Sequence, residues 1–201
     1  MPANRIRSAT KPRADESGSD ARDRILVTAE ELFASRGFES TSTKSIAEAA
    51  AVPAGLIFYH FSSKEHLLNA VLERNHLPTV MQAIFTAPCE NADSEVFLQT
   101  ALEDLLSWIE KHRSWARLFF QELTSDRPGA DRLRAQRKDA LRHLATWLER
   151  HLRSDGRRFK QASLAAHLLG GSLMVAALVD RPTRKKAYVE SVLQLLLRGG
   201  F

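Results

Sequence analysis

The sequence predicts an all-α protein, with an N-terminal three-helix helix-turn-helix domain, a larger C-terminal helical bundle and about nine helices in all. Three observations carry this. Apolar residues recur at one-turn intervals through most of the 201 residues. No segment alternates as a half-buried strand would. Glycine and proline are sparse, at 9 and 7, and fall mainly between the periodic segments.

Residues 1–19 mix Pro2, Pro12, Gly18, serines and the cations Arg5, Arg7, Lys11 and Arg13 without apolar periodicity. They read as a disordered basic arm whose ordering no core would offset. Asp20 is placed to cap a first helix over about Ala21–Arg36, whose Ile25, Leu26, Ala29, Leu32 and Phe33 form one stripe. Gly37 supplies its stop. Short helices follow at Ser42–Ala50 and Pro53–Tyr59, then one opened by Ser62, with Glu65 three positions on as in a capping box. Helices this short are marginal alone, so they must hold one another in a compact cluster. Pro78 and Pro88 break the pattern over Leu77–Asn91, which reads as a connection. The expected division is therefore 1–19 arm, 20–76 helix-turn-helix domain and 77–201 helical domain.

In the second domain, Ser94–His112 carries two adjacent apolar stripes and is expected to be central. Ser114–Leu123 is short and aromatic, and Asp131–Arg153 is amphipathic with a cationic outer face. About Lys160–Val179 and Thr183–Leu197 are the most apolar pieces, and the first is rich in small residues that let helices approach closely. These last two offer more apolar surface than one chain needs to cover, which predicts a two-fold homodimer through them.

Composition narrows the function. No apolar run is expected to span a membrane, because Ser163, His167, Gly170, Gly171 and Ser172 interrupt Ala162–Val179. The N-terminus lacks the apolar stretch of a secretory signal, and Cys89 is the single cysteine, which together suit a cytoplasmic protein. Cys89 reads as an incidental thiol rather than a nucleophile. No phosphate loop, paired metal-spaced histidines or nucleophile elbow occurs. No catalytic residue, metal ligand or cofactor is therefore expected, and the chain reads as not an enzyme. The net charge of +5 suits a polyanionic partner.

The functional signal lies in Thr41–Phe61. Ile46, Ala50, Val52, Ile57 and Phe61 are spaced to share a small core, with only Ala51-Val52 between the two short helices and Ala47 small enough for them to touch. That is the spacing of a helix-turn-helix, whose second helix enters the major groove of double-stranded DNA. The face opposite Ile57 and Phe61 presents Gly55, Leu56 and Tyr59, flanked by Ala54 and His60. Tyr59 and His60 can donate to phosphate, and Ala54 and Leu56 can meet a thymine methyl. Lys44 can reach a guanine edge or a phosphate, and Lys64 stands by the first-turn amides of the next helix, which form a phosphate site.

Arg22–Arg74, above all G-F-E-S-T-S-T-K-S-I-A-E-A-A-A-V-P-A-G-L-I-F-Y-H-F-S-S-K-E-H-L-L, resembles the DNA-binding domain of the TetR family of transcriptional regulators. The resemblance implies a homodimeric, usually repressing regulator whose C-terminal domain binds a small molecule and then releases its operator. It places DNA contacts on Ser42, Thr43, Lys44, Ala54, Gly55, Leu56, Phe58, Tyr59, His60 and Lys64. Three departures stand out. Ala51 replaces the usual turn glycine, at a cost of about 1 kcal/mol if its φ is positive. Pro53 replaces a capping serine. Leu56 and Phe58 remove two hydroxyls, leaving a recognition helix poor in donors, so that discrimination leans on thymine methyls, Lys44 and DNA shape.

In the bundle, Trp108, Trp115, Phe119, Phe120, Trp147 and Met174 are candidates to line a cavity for an unknown, mostly apolar effector, with His112, His143 and His167 as polar anchors. Ordinary core packing explains the same residues. The expected mechanism is a ligand-driven shift of the helix at Ser63–Asn75 that changes the spacing of paired recognition helices, about 34 Å apart on a palindromic operator. The competing reading is a helical dimer that senses a ligand or a protein without specific DNA binding.

Overall fold

A computed structural model describes residues 14–86, 94–151, 153–154, 157–158, 161–180 and 182–198. Cys89 and Pro88 lie outside these. The chain divides into two units, Met1–Ala70 and Val71–Phe201, with the boundary inside a helix rather than in a loop.

In the first unit, α1 covers Ala14–Arg36. It begins seven residues before the expected start, since once downstream turns have nucleated a helix each added residue gains a hydrogen bond without needing an apolar face. The cations of the expected arm, Arg5 to Arg13, lie outside the described residues, while 14–19 are helical. Gly37 ends α1 at φ +85°, its N–H donating to Phe33 O at 2.9 Å, as its position predicts. The expected stripe is buried at Ile25, Leu26, Ala29 and Phe33. Then come α2, Thr43–Ala49, and α3, Ala54–His60. Ile46, Ala47, Ala50, Ile57 and Phe61 are buried, and Val52 is half-buried, so the predicted small core forms with Val52 at its edge.

Helix α4, Lys64–Glu73, crosses the unit boundary. Its cap is Ser63, not Ser62: Ser63 Oγ accepts the His66 N–H at 3.1 Å. The return contact comes from His66, whose Nδ1 accepts the Ser62 N–H at 3.3 Å. With serine at both positions the first residue matched the box pattern, but the helix closes one residue later, and His66 takes the place expected of Glu65.

In the second unit, Leu77–Phe85 is a helix, α5, where the sequence suggested a connection. Pro78 stands in its first turn, where an N–H has no intrahelical partner, so proline starts this helix instead of breaking it. The remaining helices are α6, Ser94–Lys111, α7, Arg113–Leu123, and α8, Ala130–His151. A two-residue antiparallel ladder, β1 at Arg153–Ser154 with β2 at Arg157–Arg158, follows. The last helices are α9, Ala162–Val175, extended by a π-helical turn over Ala176–Asp180, and α10, Lys185–Arg198. Helix α6 is central as expected, with Leu98, Ala101, Leu102, Leu105, Leu106 and Ile109 buried. Helices α8 and α9 approach so closely that a Cβ on Gly170 would stand 2.8 Å from Leu141 Cδ2.

The continuous stretch Ala162–Asp180, of mean hydropathy 1.8, has the length and composition of a membrane span. This corrects the expectation that its polar interruptions would exclude one. One face of it, with Ala165, Ala166, Leu169 and Leu173, is buried in the bundle, while Leu164 and Leu168 on the other stay exposed.

Candidate nucleic-acid interface and ligand cavity

The interface is built on three local devices. Ser42 caps α2, its Oγ accepting the Ser45 N–H at 3.0 Å, which fixes Thr43 and Lys44 at the helix entrance. Buried Thr41 donates its hydroxyl to Gly37 O at 2.8 Å and to Leu32 O at 3.3 Å, tying α2 to the end of α1. Ala51 takes φ +53° in the turn, the left-handed conformation that turns the chain from α2 into α3. Pro53 precedes α3 with no side-chain cap, leaving the first-turn amides without that partner.

With Ile57 and Phe61 buried behind it, α3 presents Ala54, Gly55, Phe58 and Tyr59 outward, Leu56 and His60 being half-buried. Phe58 is 58% and Tyr59 80% exposed. Large apolar rings normally avoid such exposure in a folded core, and here they stand side by side on one short helix. His60 departs from expectation. Its Nε2 is buried without a hydrogen-bond partner among the described residues, and its ring meets Tyr59 edge-on at 5.0 Å between centroids. That nitrogen is therefore not offered to a phosphate, and Tyr59 is the hydroxyl donor that α3 extends.

Cations frame this face. Lys44 Nζ lies 4.0 Å from Glu48 with both side chains exposed, a pair weak enough for a phosphate to replace. Lys64 Nζ sits 4.1 Å from the centroid of Phe38, and the Arg22 guanidinium 5.3 Å from that of Phe61. Both charges are thereby held in place rather than free to sweep. Arg22 and Thr41 were not singled out from the sequence, because a cation at a helix start and a threonine in a loop carry no distinguishing pattern. The expected phosphate site at the start of α4 is partly occupied by the chain itself. The Glu65 carboxyl is held below the usual carboxylate range by its own backbone N–H, by the Ser63 hydroxyl and by Lys64.

The second unit holds a cavity of about 460 Å³ between α5, α6, α7, α8 and α9, with Phe119, Phe120 and Met174 among its lining. The other candidates lie elsewhere. Trp115 is buried and donates its Nε1 to Leu72 O at 3.0 Å, satisfying a carbonyl that the end of α4 leaves over. Trp108 stacks on His112, whose Nδ1 faces Trp108 O at 2.8 Å. Trp147 packs between Phe97 and His151. His167 is exposed, with Nδ1 against Ser163 O of its own helix, and His143 is half-buried but not in the lining. His112 and His167 thus serve their own helical turns, and none of the three histidines expected as anchors lines the cavity, because the face of the helix that meets the cavity is decided by tertiary packing and not by residue type.

Residues 25–71 match the pattern of bacterial regulatory proteins, tetR family. The HTH-type transcriptional activator FasR of Mycolicibacterium smegmatis is 31% identical over 102 residues, covering 51% of this chain and 46% of FasR. The chain thus spans about half the length of that relative. A putative fatty acid metabolism regulator of Clostridium perfringens superposes with a TM-score of 0.74 at 21% identity, covering 89% of this chain and 98% of the other. The transcriptional regulator FadR of Bacillus subtilis, solved in complex with stearoyl-CoA, gives 0.70 at 21% identity, covering 89% and 99%. At that identity these two establish the shared fold. Residues 25–71 thus match the recognition unit of the tetR family of bacterial regulatory proteins, and the fold shared with these two regulators extends over the rest of the chain.

Proposed function

We propose that this chain is a cytoplasmic, ligand-responsive transcriptional repressor that binds a palindromic operator as a homodimer. The observation that carries the DNA-binding reading is the outward face of α3, where Ala54, Gly55, Phe58 and Tyr59 stand clear of a buried Ile57 and Phe61. Ser42, Thr43 and Lys44 stand at the entrance of α2 and Lys64 and Arg22 at its rim, so that phosphate contacts fix the register while α3 meets base edges. With Tyr59 as its hydroxyl donor, α3 reads sequence chiefly through thymine methyls and groove shape.

The last two helices serve pairing. Leu164 and Leu168 stand one turn apart on α9, and Leu195 projects from α10, all of them exposed and none in the cavity lining. A single chain leaves this surface uncovered, and a second copy covers it by two-fold symmetry. Effector binding in the cavity, lined in part by Leu77 and Met81 of α5, acts on α4 through the short Arg74–His76 connection. The end of α4 that meets this connection is held by Trp115 and by the ion pair of Glu73 with Arg132.

The test is direct. Fluorescence anisotropy of duplexes from the regions flanking the gene, at two salt concentrations, is expected to find one duplex bound at least about a thousandfold tighter than random DNA, with a steep salt slope. Tyr59→Ala and Lys44→Ala are each expected to lose about tenfold or more on that duplex. Equal affinity for every duplex would leave the chain a sensing module without operator recognition.

A further inference from the structure

Among the described residues, a single polar side chain lines the cavity in the second unit. Its walls are hydrocarbon and aromatic, from Leu105, Ile109, Phe119, Leu141 and Met174 among others, and Arg137 is the one lining residue with a charged or hydrogen-bonding side chain. Arg137 is half-buried. Three other arginines of α8 are spoken for: Arg132 pairs with Glu73, Arg134 with Asp131 and Arg142 with Asp139. Arg137 makes no ion pair or hydrogen bond within the described residues.

A guanidinium does not lose its proton, and its donors form a fork shaped for two oxygens of a carboxylate or phosphate. A purely apolar ligand would strip water from Arg137 and leave those donors unmet, at a cost comparable to the gain from burying the ligand. An anionic head on an apolar body satisfies both parts of the wall. The size suits such a molecule, since pockets for small ligands run from about 300 to 1,000 Å³. The π-helical turn Ala176–Asp180 adds to this picture: Leu178 and Val179 line the cavity, and Arg113 from α7 holds the Leu178 carbonyl at 2.5 Å. This type of turn is common where a helix shapes a binding site.

We infer that the cavity takes an anionic amphiphile, its apolar tail among α5, α6, α7 and α9 and its carboxylate or phosphate on Arg137. This rests on the ligand-responsive reading above and names the chemistry of its effector. The tail requires length rather than shape, and the head requires charge.

The experiment is isothermal titration of the full chain, without DNA, using dodecanoate, dodecanoyl-coenzyme A and dodecanol below micelle formation. At least one of the two anions is expected to bind about tenfold to a hundredfold tighter than dodecanol. Arg137→Gln is expected to bring that anion to the level of the alcohol while leaving the alcohol unchanged, and Arg137→Lys to keep part of the preference. A tighter carboxylate identifies the free acid as the source of the head, and a tighter thioester identifies the phosphates. Absence of binding, equal binding of all three, or an unchanged preference in Arg137→Gln overturns the inference. Because no DNA is present, a chain that recognises an operator yet binds no amphiphile refutes this inference and leaves the DNA-binding reading standing.

Discussion

At Ala51 the backbone runs at φ +53°, a conformation that costs an L-residue with a Cβ about 1–2 kcal/mol. Glycine removes that strain but adds about 0.4–1 kcal/mol of unfolded-state entropy. Ala51→Gly is therefore expected to stabilise the chain by roughly 0.5–1 kcal/mol, a rise of about 1–4 °C in Tm, which thermal melting checks. A drop in Tm would show that the turn is not strained. This position was legible through the family resemblance, which places a glycine in the turn where this chain has Ala51. The cap of α4 was not, since Ser62 and Ser63 present the same chemistry one residue apart. Glu65, beside that cap, makes a second test. Its carboxyl is depressed in the folded chain, first by its own backbone N–H and then by Ser63 and Lys64. The stabilisation it gives is thus present above the ordinary carboxylate range and lost as pH falls through the lower, folded value. In acid melts, Glu65→Gln should lack the part of the decline that falls below the ordinary range, and superimposable curves would remove Glu65 from the cap.

At the scale of elements, most of the helices follow from apolar periodicity, and the one helix missed, α5, was missed because of a proline. Prolines and glycines punctuate a chain only according to their position within a helix. Gly37 stops α1 because it stands past the last turn, whereas Pro78 opens α5 because it stands in the first. A sequence read without knowing where the turn begins sees the same residue as a break. The cost was substantial, since α5 packs on α8 and lines the cavity through Leu77 and Met81. Cavity residues were equally hard to place, because Trp108, Trp115 and Phe119 all lie on apolar faces and packing alone decides which face opens inward. Trp115 joins elements by a bond no periodicity shows, its indole closing the end of α4 at Leu72 O. Trp115→Phe keeps an aromatic ring on Phe119, with which Trp115 now stacks at 5.0 Å, but loses the donor. A loss of about 1–3 kcal/mol in chemical denaturation is expected, from the unmet buried carbonyl and the smaller ring. An effect under about 0.5 kcal/mol would mean that the carbonyl finds another partner.

For the whole molecule, recognition of a palindrome requires two copies of α3 on one duplex, so affinity and assembly are linked. The last helices leave apolar residues open: Leu168 lies four residues after Leu164 on α9, and Leu195 is 73% exposed on α10. Neither Leu168 nor Leu195 lines the cavity, so replacing them tests pairing without touching the ligand. The double substitution Leu168→Glu with Leu195→Glu places like charges on the proposed pairing surface, where two-fold symmetry would repeat each of them. Sedimentation should show a monomer whose helix content is unchanged. Its DNA affinity should fall by at least about a hundredfold, and its salt slope to roughly half, because one copy neutralises half the phosphates. A reduced affinity with the full slope would indicate two copies still engaged through a different surface. An unchanged sedimentation coefficient would refute pairing through these helices, while leaving the chemistry of α3 and of the cavity to their own tests.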